Sequence, residues 1–165
     1  REFIEPILQD DRLALIWRPH PLLLDTIRVM QKESTQYKTL LARIANAPNA
    51  VIDDSDTAEA AIKVSDAMIS DYSSMVMQYT FTGKPSYLLT GKSEARKFHV
   101  FCDYFSNYFR EDGCSLNDFL TMVLEGTDER RDERLYYVRE SVVNADGSCG
   151  ENVHRILCER VGERI

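Results

Sequence analysis

The chain has little of what marks several common kinds of site. Only three of its 165 residues are histidines, and its four cysteines, Cys102, Cys114, Cys149 and Cys158, include no Cys-x-x-Cys pair. Zinc needs closely spaced ligands of these types, so no zinc site is expected. No apolar run approaches the ~20 residues that a membrane span requires. Positive charge is in deficit, 20 Lys and Arg against 27 Asp and Glu, a net of −7. That argues against a nucleic-acid surface across the domain and against a basic membrane-binding face, while leaving room for a local basic pocket. No secretory signal is recognisable, so reduced thiols in a cytoplasmic protein are the expectation. Repeats and low-complexity linkers are also missing. What remains is an ordinary mixture, 44% hydrophobic and 28% charged. At this length it suits one domain with its own core.

Apolar periodicity divides the chain into alternating strands and helices. Phe3, Ile4, Ile7 and Leu8 have helical spacing within Glu2 to Gln9. Leu13 to Trp17 is strand-like. Leu22 to Ala45 reads as helix, with Ser34 and Thr35 dividing it because both residues favour caps. Ala50 to Ile52 is a short strand, and a helix follows from Asp56 or Thr57 to Val64. Ala67 to Ser70 is a third strand, Met75 to Thr82 a helix, and Gly83-Lys84-Pro85 its stop. Ser86 to Leu89 is a fourth strand. The aromatic-rich stretch Gly91 to Gly113 reads as an irregular excursion holding a short helix or strand. Leu116 to Leu124, Glu129 to Val143 and Glu151 to Val161 close the chain as helices. Such alternation predicts an α/β fold, a Rossmann-like parallel sheet with helices on both faces. Trp17, Ile52, Ile69 and Leu88 are expected in one sheet, with the residues after them sharing an edge.

Two strand ends carry polar chemistry. Leu13 to Trp17 runs into Arg18-Pro19-His20-Pro21, and Ala67-Met68-Ile69 runs into Ser70-Asp71-Tyr72-Ser73-Ser74. A strand that feeds a helix through hydroxyls places free N–H groups and the helix dipole where an anion can bind. An open parallel sheet collects its ligands at such strand ends.

These two blocks, with Gly83-Lys84-Pro85, Val51-Ile52-Asp53-Asp54-Ser55-Asp56 and Asp146-Gly147, resemble the CDP-glycerol glycerophosphotransferase family, the teichoic-acid polymerase and primase type. The resemblance runs from about Leu13 to Leu157. It implies the donor-binding, C-terminal half of a two-domain GT-B enzyme, so residues 1–165 would be a single domain of something larger. It implies transfer of a polyol phosphate from a CDP-alcohol to a hydroxyl of a cell-envelope glycan or lipid-linked acceptor. No cofactor is expected beyond that donor substrate, and the general base would lie in the other half. The full-length protein would sit at the inner face of the cell membrane, with membrane contact only through parts outside this chain.

On this reading His20 is the catalytic candidate, donating to the leaving phosphate, with Arg18, Ser73 and Ser74 holding the diphosphate. Asp53 and Ser55 are candidates for contact with ribose or acceptor. Each has a plainer alternative. Ser73 and Ser74 would suit a helix cap, His20 an exposed loop, Arg18 a surface salt bridge, and the Asp53 cluster a turn with an N-cap. Asp71 reads as an N-cap or strand-end acceptor, Cys158 as a small core residue, and Asp128 to Arg134 as a solvated helix face. Two other functions fit the same architecture, a nucleotide-sugar glycosyltransferase of GT-B type and a non-catalytic ligand-binding domain.

Overall fold

A computed structural model describes residues 2–20, 22–23, 26–27, 34–71, 73–89, 107–109, 113–141 and 146–162. The chain divides into two compact units, residues 1–67 with 114–127 and residues 68–113 with 128–165.

The first unit holds α1 (Glu5–Leu8), β1 (Leu15–Trp17), α2 (Ser34–Ala45), β2 (Ala50–Ile52), α3 (Glu59–Val64) and α5 (Leu116–Glu125). β1 and β2 pair in parallel, Leu15 opposite Ala50 and Trp17 opposite Ile52. Apolar residues from both strands pack on a buried cluster of Ile4, Leu8, Ile44 and Ala47, drawn from α1, α2 and the residues that flank them. Just before β2, the Asn49 amide donates to the carbonyls of Ile7, Asp10 and Leu13, at 3.1, 3.4 and 2.9 Å. The two N–H groups of one side chain are thereby shared among three backbone acceptors in the α1–β1 turn. α5 begins with a reciprocal cap between Ser115 and Asp118 and ends at Gly126, whose φ of 67° suits the left-handed turn.

The second unit holds β3 (Met68–Ser70), α4 (Ser74–Thr80), β4 (Ser86–Leu88), β5 (Tyr108–Phe109), α6 (Arg131–Ser141) and α7 (Cys149–Gly162). The strands form a parallel sheet in the order β3-β4-β5. Val76, Leu88 and Phe109 make its core, with Met68 packed against them. Gly83 follows α4 at a φ of 73°, and a Cβ there would lie 2.7 Å from Leu135 Cδ2. No other residue type fits that turn without strain.

Most elements fall where periodicity puts them. Three expectations fail, the last in part. The four predicted strands do not share one sheet, because β1 pairs with β2, while β4 pairs with β3 on one side and β5 on the other. Alternating βα units favour pairing between successive strands, but with three-residue strands nothing in the pattern joins one pair to the next. Cys158 is exposed on α7, a helix with no buried residue and with Val153, Leu157 and Val161 each more than half exposed. Its apolar spacing is real, yet no described residue covers it. The charged run from Asp128 is a solvated face only in part, since Glu129, Arg131, Asp132 and Glu133 are exposed but Arg134 is fully buried. Among the described residues no helix is long and apolar enough to cross a membrane. His99, Cys102 and most of the aromatic excursion lie outside the described residues.

Candidate functional site

In the first unit, parallel register places the residue after Trp17 beside the residue after Ile52. The Asp53 N–H donates to the Trp17 carbonyl at 2.9 Å, which extends the ladder by one bond. Arg18 and Asp53 therefore emerge at the same strand ends. Arg18 Nη1 donates to Asp53 Oδ2 at 2.8 Å and to Ser55 Oγ at 3.1 Å, and Nη2 donates to the Ser55 carbonyl at 2.7 Å. The other carboxylate oxygen, Asp53 Oδ1, accepts from the Ser55 hydroxyl at 2.6 Å and the Ser55 N–H at 3.1 Å. The ion pair is half-buried, with side chains 24% and 17% exposed. The Ser55 hydroxyl, followed by the Arg18 guanidinium, holds the Asp53 carboxyl below its ordinary range. The salt bridge considered for Arg18 is thus present, and so is the turn considered for Asp53, but both are one constellation.

His20 is exposed two residues further on. Its Nδ1 accepts the Leu22 N–H at 3.1 Å, and its carbonyl accepts the Leu23 N–H at 2.9 Å. With the Nδ1 lone pair engaged, the neutral ring carries its proton on Nε2. That leaves a ring N–H available as a donor. Pro21 lies outside the described residues.

In the second unit, β3 runs into Ser73, the N-cap of α4, and Ser74, its first residue. Ser73 is extended, with φ −150° and ψ 167°, and its hydroxyl makes no capping hydrogen bond. The plain cap expected for these serines is therefore not made by the Ser73 side chain. Asp71 is exposed and is not the N-cap, and Tyr72 lies outside the described residues.

A cavity of about 150 Å³ in the first unit is lined by Asp10, Arg12, Asn117 and Thr121 among others, and none of the candidate site residues lines it. Among the described residues no three His, Cys, Asp or Glu side chains are grouped as metal ligands.

Strand ends in each unit thus carry polar side chains, a guanidinium and an imidazole after β1 in the first and a pair of serines after β3 in the second. The chain belongs to the family described as CDP-Glycerol:Poly(glycerophosphate) glycerophosphotransferase, whose model matches residues 7–158. This is a family of transferases of glycerol phosphate, and the match bears out the resemblance carried by Arg18 to Pro21 and Ser70 to Ser74. No curated protein and no solved structure matches the chain significantly.

Proposed function

We propose that the chain is the donor-binding half of a two-domain, GT-B type enzyme that moves glycerol phosphate from CDP-glycerol to a hydroxyl of a cell-envelope glycan or lipid-linked acceptor. The observation that carries this reading is the family match over residues 7–158. In the reaction the acceptor oxygen attacks the distal phosphorus. A new P–O bond forms, the bond to the bridging oxygen breaks, and cytidine monophosphate leaves with the electron pair. The acceptor proton passes to a base in the other half of the enzyme, so these 165 residues bind donor without turning it over. The full-length enzyme works at the inner face of the cell membrane, where a lipid-linked acceptor is accessible.

Negative charge grows on the leaving phosphate, and preorganised donors are the main need of such a step. His20 is proposed to supply one through Nε2, and the accepted Leu22 N–H supports that role by fixing the ring. Arg18 is proposed to bind a phosphate oxygen. Ser73 and Ser74 are proposed, separately, as phosphate contacts of the second unit, a role supported by the uncommitted Ser73 hydroxyl.

The test is a nucleotide panel followed by amide chemical shifts. CDP-glycerol is expected to bind and to shift the amides of Arg18 and His20, and those of Ser73 and Ser74 are scored on their own. Preference for a UDP-sugar over CDP-glycerol would turn the assignment to a glycosyltransferase. Absence of binding by every nucleotide would defeat the donor-site reading.

A further inference from the structure

The Arg18 guanidinium is only partly spent. It has five N–H donors. Nη1 uses both of its hydrogens, on Asp53 Oδ2 and Ser55 Oγ, and Nη2 uses one, on the Ser55 carbonyl. Nε–H and the second Nη2–H meet no acceptor among the described residues. Nε and Nη2 form one side edge of the planar fork, the edge that matches two oxygens of a phosphate.

The carboxylate is locked as well. Both Asp53 oxygens accept hydrogen bonds from within the constellation, one from Arg18 and the other twice from Ser55. The Ser55 hydroxyl accepts from Arg18 and lies 2.6 Å from Asp53 Oδ1 and 3.0 Å from the Thr57 carbonyl. A carboxylate aimed at a diphosphate would repel it. This one is aimed at the arginine.

Resting on the donor-site reading above, we propose that Asp53 and Ser55 are positioning residues for Arg18 and do not touch the donor. They fix the guanidinium so that Nε–H and the remaining Nη2–H present a bidentate edge to one phosphate of a CDP-alcohol. An unrestrained arginine must give up several rotatable bonds to bind, and here that ordering is complete before the ligand arrives. The arrangement trades net charge for order, because Asp53 cancels part of the field that would attract an anion.

The trade gives the test its sign. CDP-glycerol is titrated calorimetrically into the 165-residue chain carrying Arg18→Ala, Asp53→Ala, Asp53→Asn or the Arg18→Ala/Asp53→Ala pair. Positioning predicts that Asp53→Ala weakens binding about tenfold or more, on the scale of a lost charge-assisted hydrogen bond. Asp53→Asn, whose amide oxygen still accepts, loses less. The double variant binds no worse than Arg18→Ala alone, since both changes remove the same contact. Unchanged or tighter binding in Asp53→Ala makes the carboxylate a bystander or a repulsive neighbour, and overturns the positioning role while the donor site stands. If Asp53→Ala fails to fold, Asp53→Asn decides by the same sign. Wild-type chain that does not bind CDP-glycerol, or binding indifferent to Arg18→Ala, overturns this inference together with the role of Arg18 in the donor reading.

Discussion

Arg134 and Asp128 face each other across 2.8 Å, and the Arg134 side chain has no solvent exposure at all. The same guanidinium nitrogen donates to the Gly83 carbonyl at 2.9 Å, and Nη2 reaches the second Asp128 oxygen at 3.3 Å. Tyr108 donates its hydroxyl to Asp128 at 2.8 Å, and Arg130 lies over the Tyr108 ring, 4.8 Å from its centre, while donating to the Asn107 carbonyl. One buried network therefore ties the end of α4, the start of β5 and the first turn of α6. A buried charge must be paired, and breaking such a pair leaves its partner uncompensated. Arg134→Ala is expected to destabilise the chain by about 3–5 kcal/mol. The double change with Asp128→Ala should cost well below the sum of the two single changes. Urea unfolding would measure both, and a loss under ~1 kcal/mol for Arg134→Ala contradicts the structural role given to it here.

The same network gives stability a dependence on pH at both extremes. Burial raises the Asp128 carboxyl, but hydrogen bonds from Arg134 and Tyr108 outweigh it and leave the group below its ordinary value. A depressed folded-state carboxyl contributes stability above its unfolded pKa, which is lost as the pH falls through the lower folded value. Burial first, and the Asp128 carboxylate second, push the Tyr108 phenol up to about 12. A raised phenol contributes stability that is full below its unfolded value of about 10 and is lost as pH rises from there towards 12. Alkaline difference spectra of wild type and Tyr108→Phe should isolate one late-ionising tyrosine. A Tyr108 that titrates with the ordinary phenols would disprove the buried Asp128 contact.

Gly83 should not tolerate a side chain. Alanine there meets a left-handed φ of 73° and Leu135 Cδ2 at 2.7 Å. The conformation costs roughly 1 kcal/mol and the overpacking about 1–3 kcal/mol more. Gly83→Ala is expected to lower the melting temperature, and pairing it with Leu135→Ala should recover the steric part only. Equal losses with and without Leu135 would show that the clash is not what excludes a Cβ.

His20→Ala, in a form of the enzyme that turns over, is expected to lower kcat about 10²–10³-fold with little change in donor affinity. The side-chain amide of His20→Gln can place a donor near the Nε2 position, so part of the rate should return. Near-normal kinetics for both variants would make His20 an ordinary loop residue. Affinity and rate falling together would move its contact to the ground-state diphosphate.

The elements were legible because their signals are local. Leu13 to Trp17, Ala50 to Ile52 and Ala67 to Ser70 are short apolar runs closed by polar residues, and β1, β2 and β3 lie within them. The stop at Gly83 and the start of α5 near Leu116 also follow from caps and turns that act within a few residues. Family membership was legible for a related reason, since Arg18 to Pro21 and Ser70 to Ser74 are contiguous blocks and residues 7–158 match the family model.

Pairing over distance was not legible. Read along the chain, Arg134 is one charge among seven consecutive polar residues, and helical spacing directs it to solvent. Its burial goes with two partners, the Gly83 carbonyl 51 residues earlier and the Asp128 carboxylate six residues earlier, which only the folded chain sets around it. Arg18 and Asp53 are 35 residues apart, and each alone suits a surface loop. They meet because parallel register sets Trp17 opposite Ile52, so that the next residue of each strand leaves the sheet at the same place. Cys158 shows the converse, an apolar helical stripe with no described neighbour to bury it. The sequence by itself determined the local elements, whose free energies come from neighbours within a turn or a strand, and the family to which their motifs belong. Only the tertiary structure decided which charges are buried and which arginine has a partner, because burial and register depend on residues far away in sequence that propensity and periodicity do not sense.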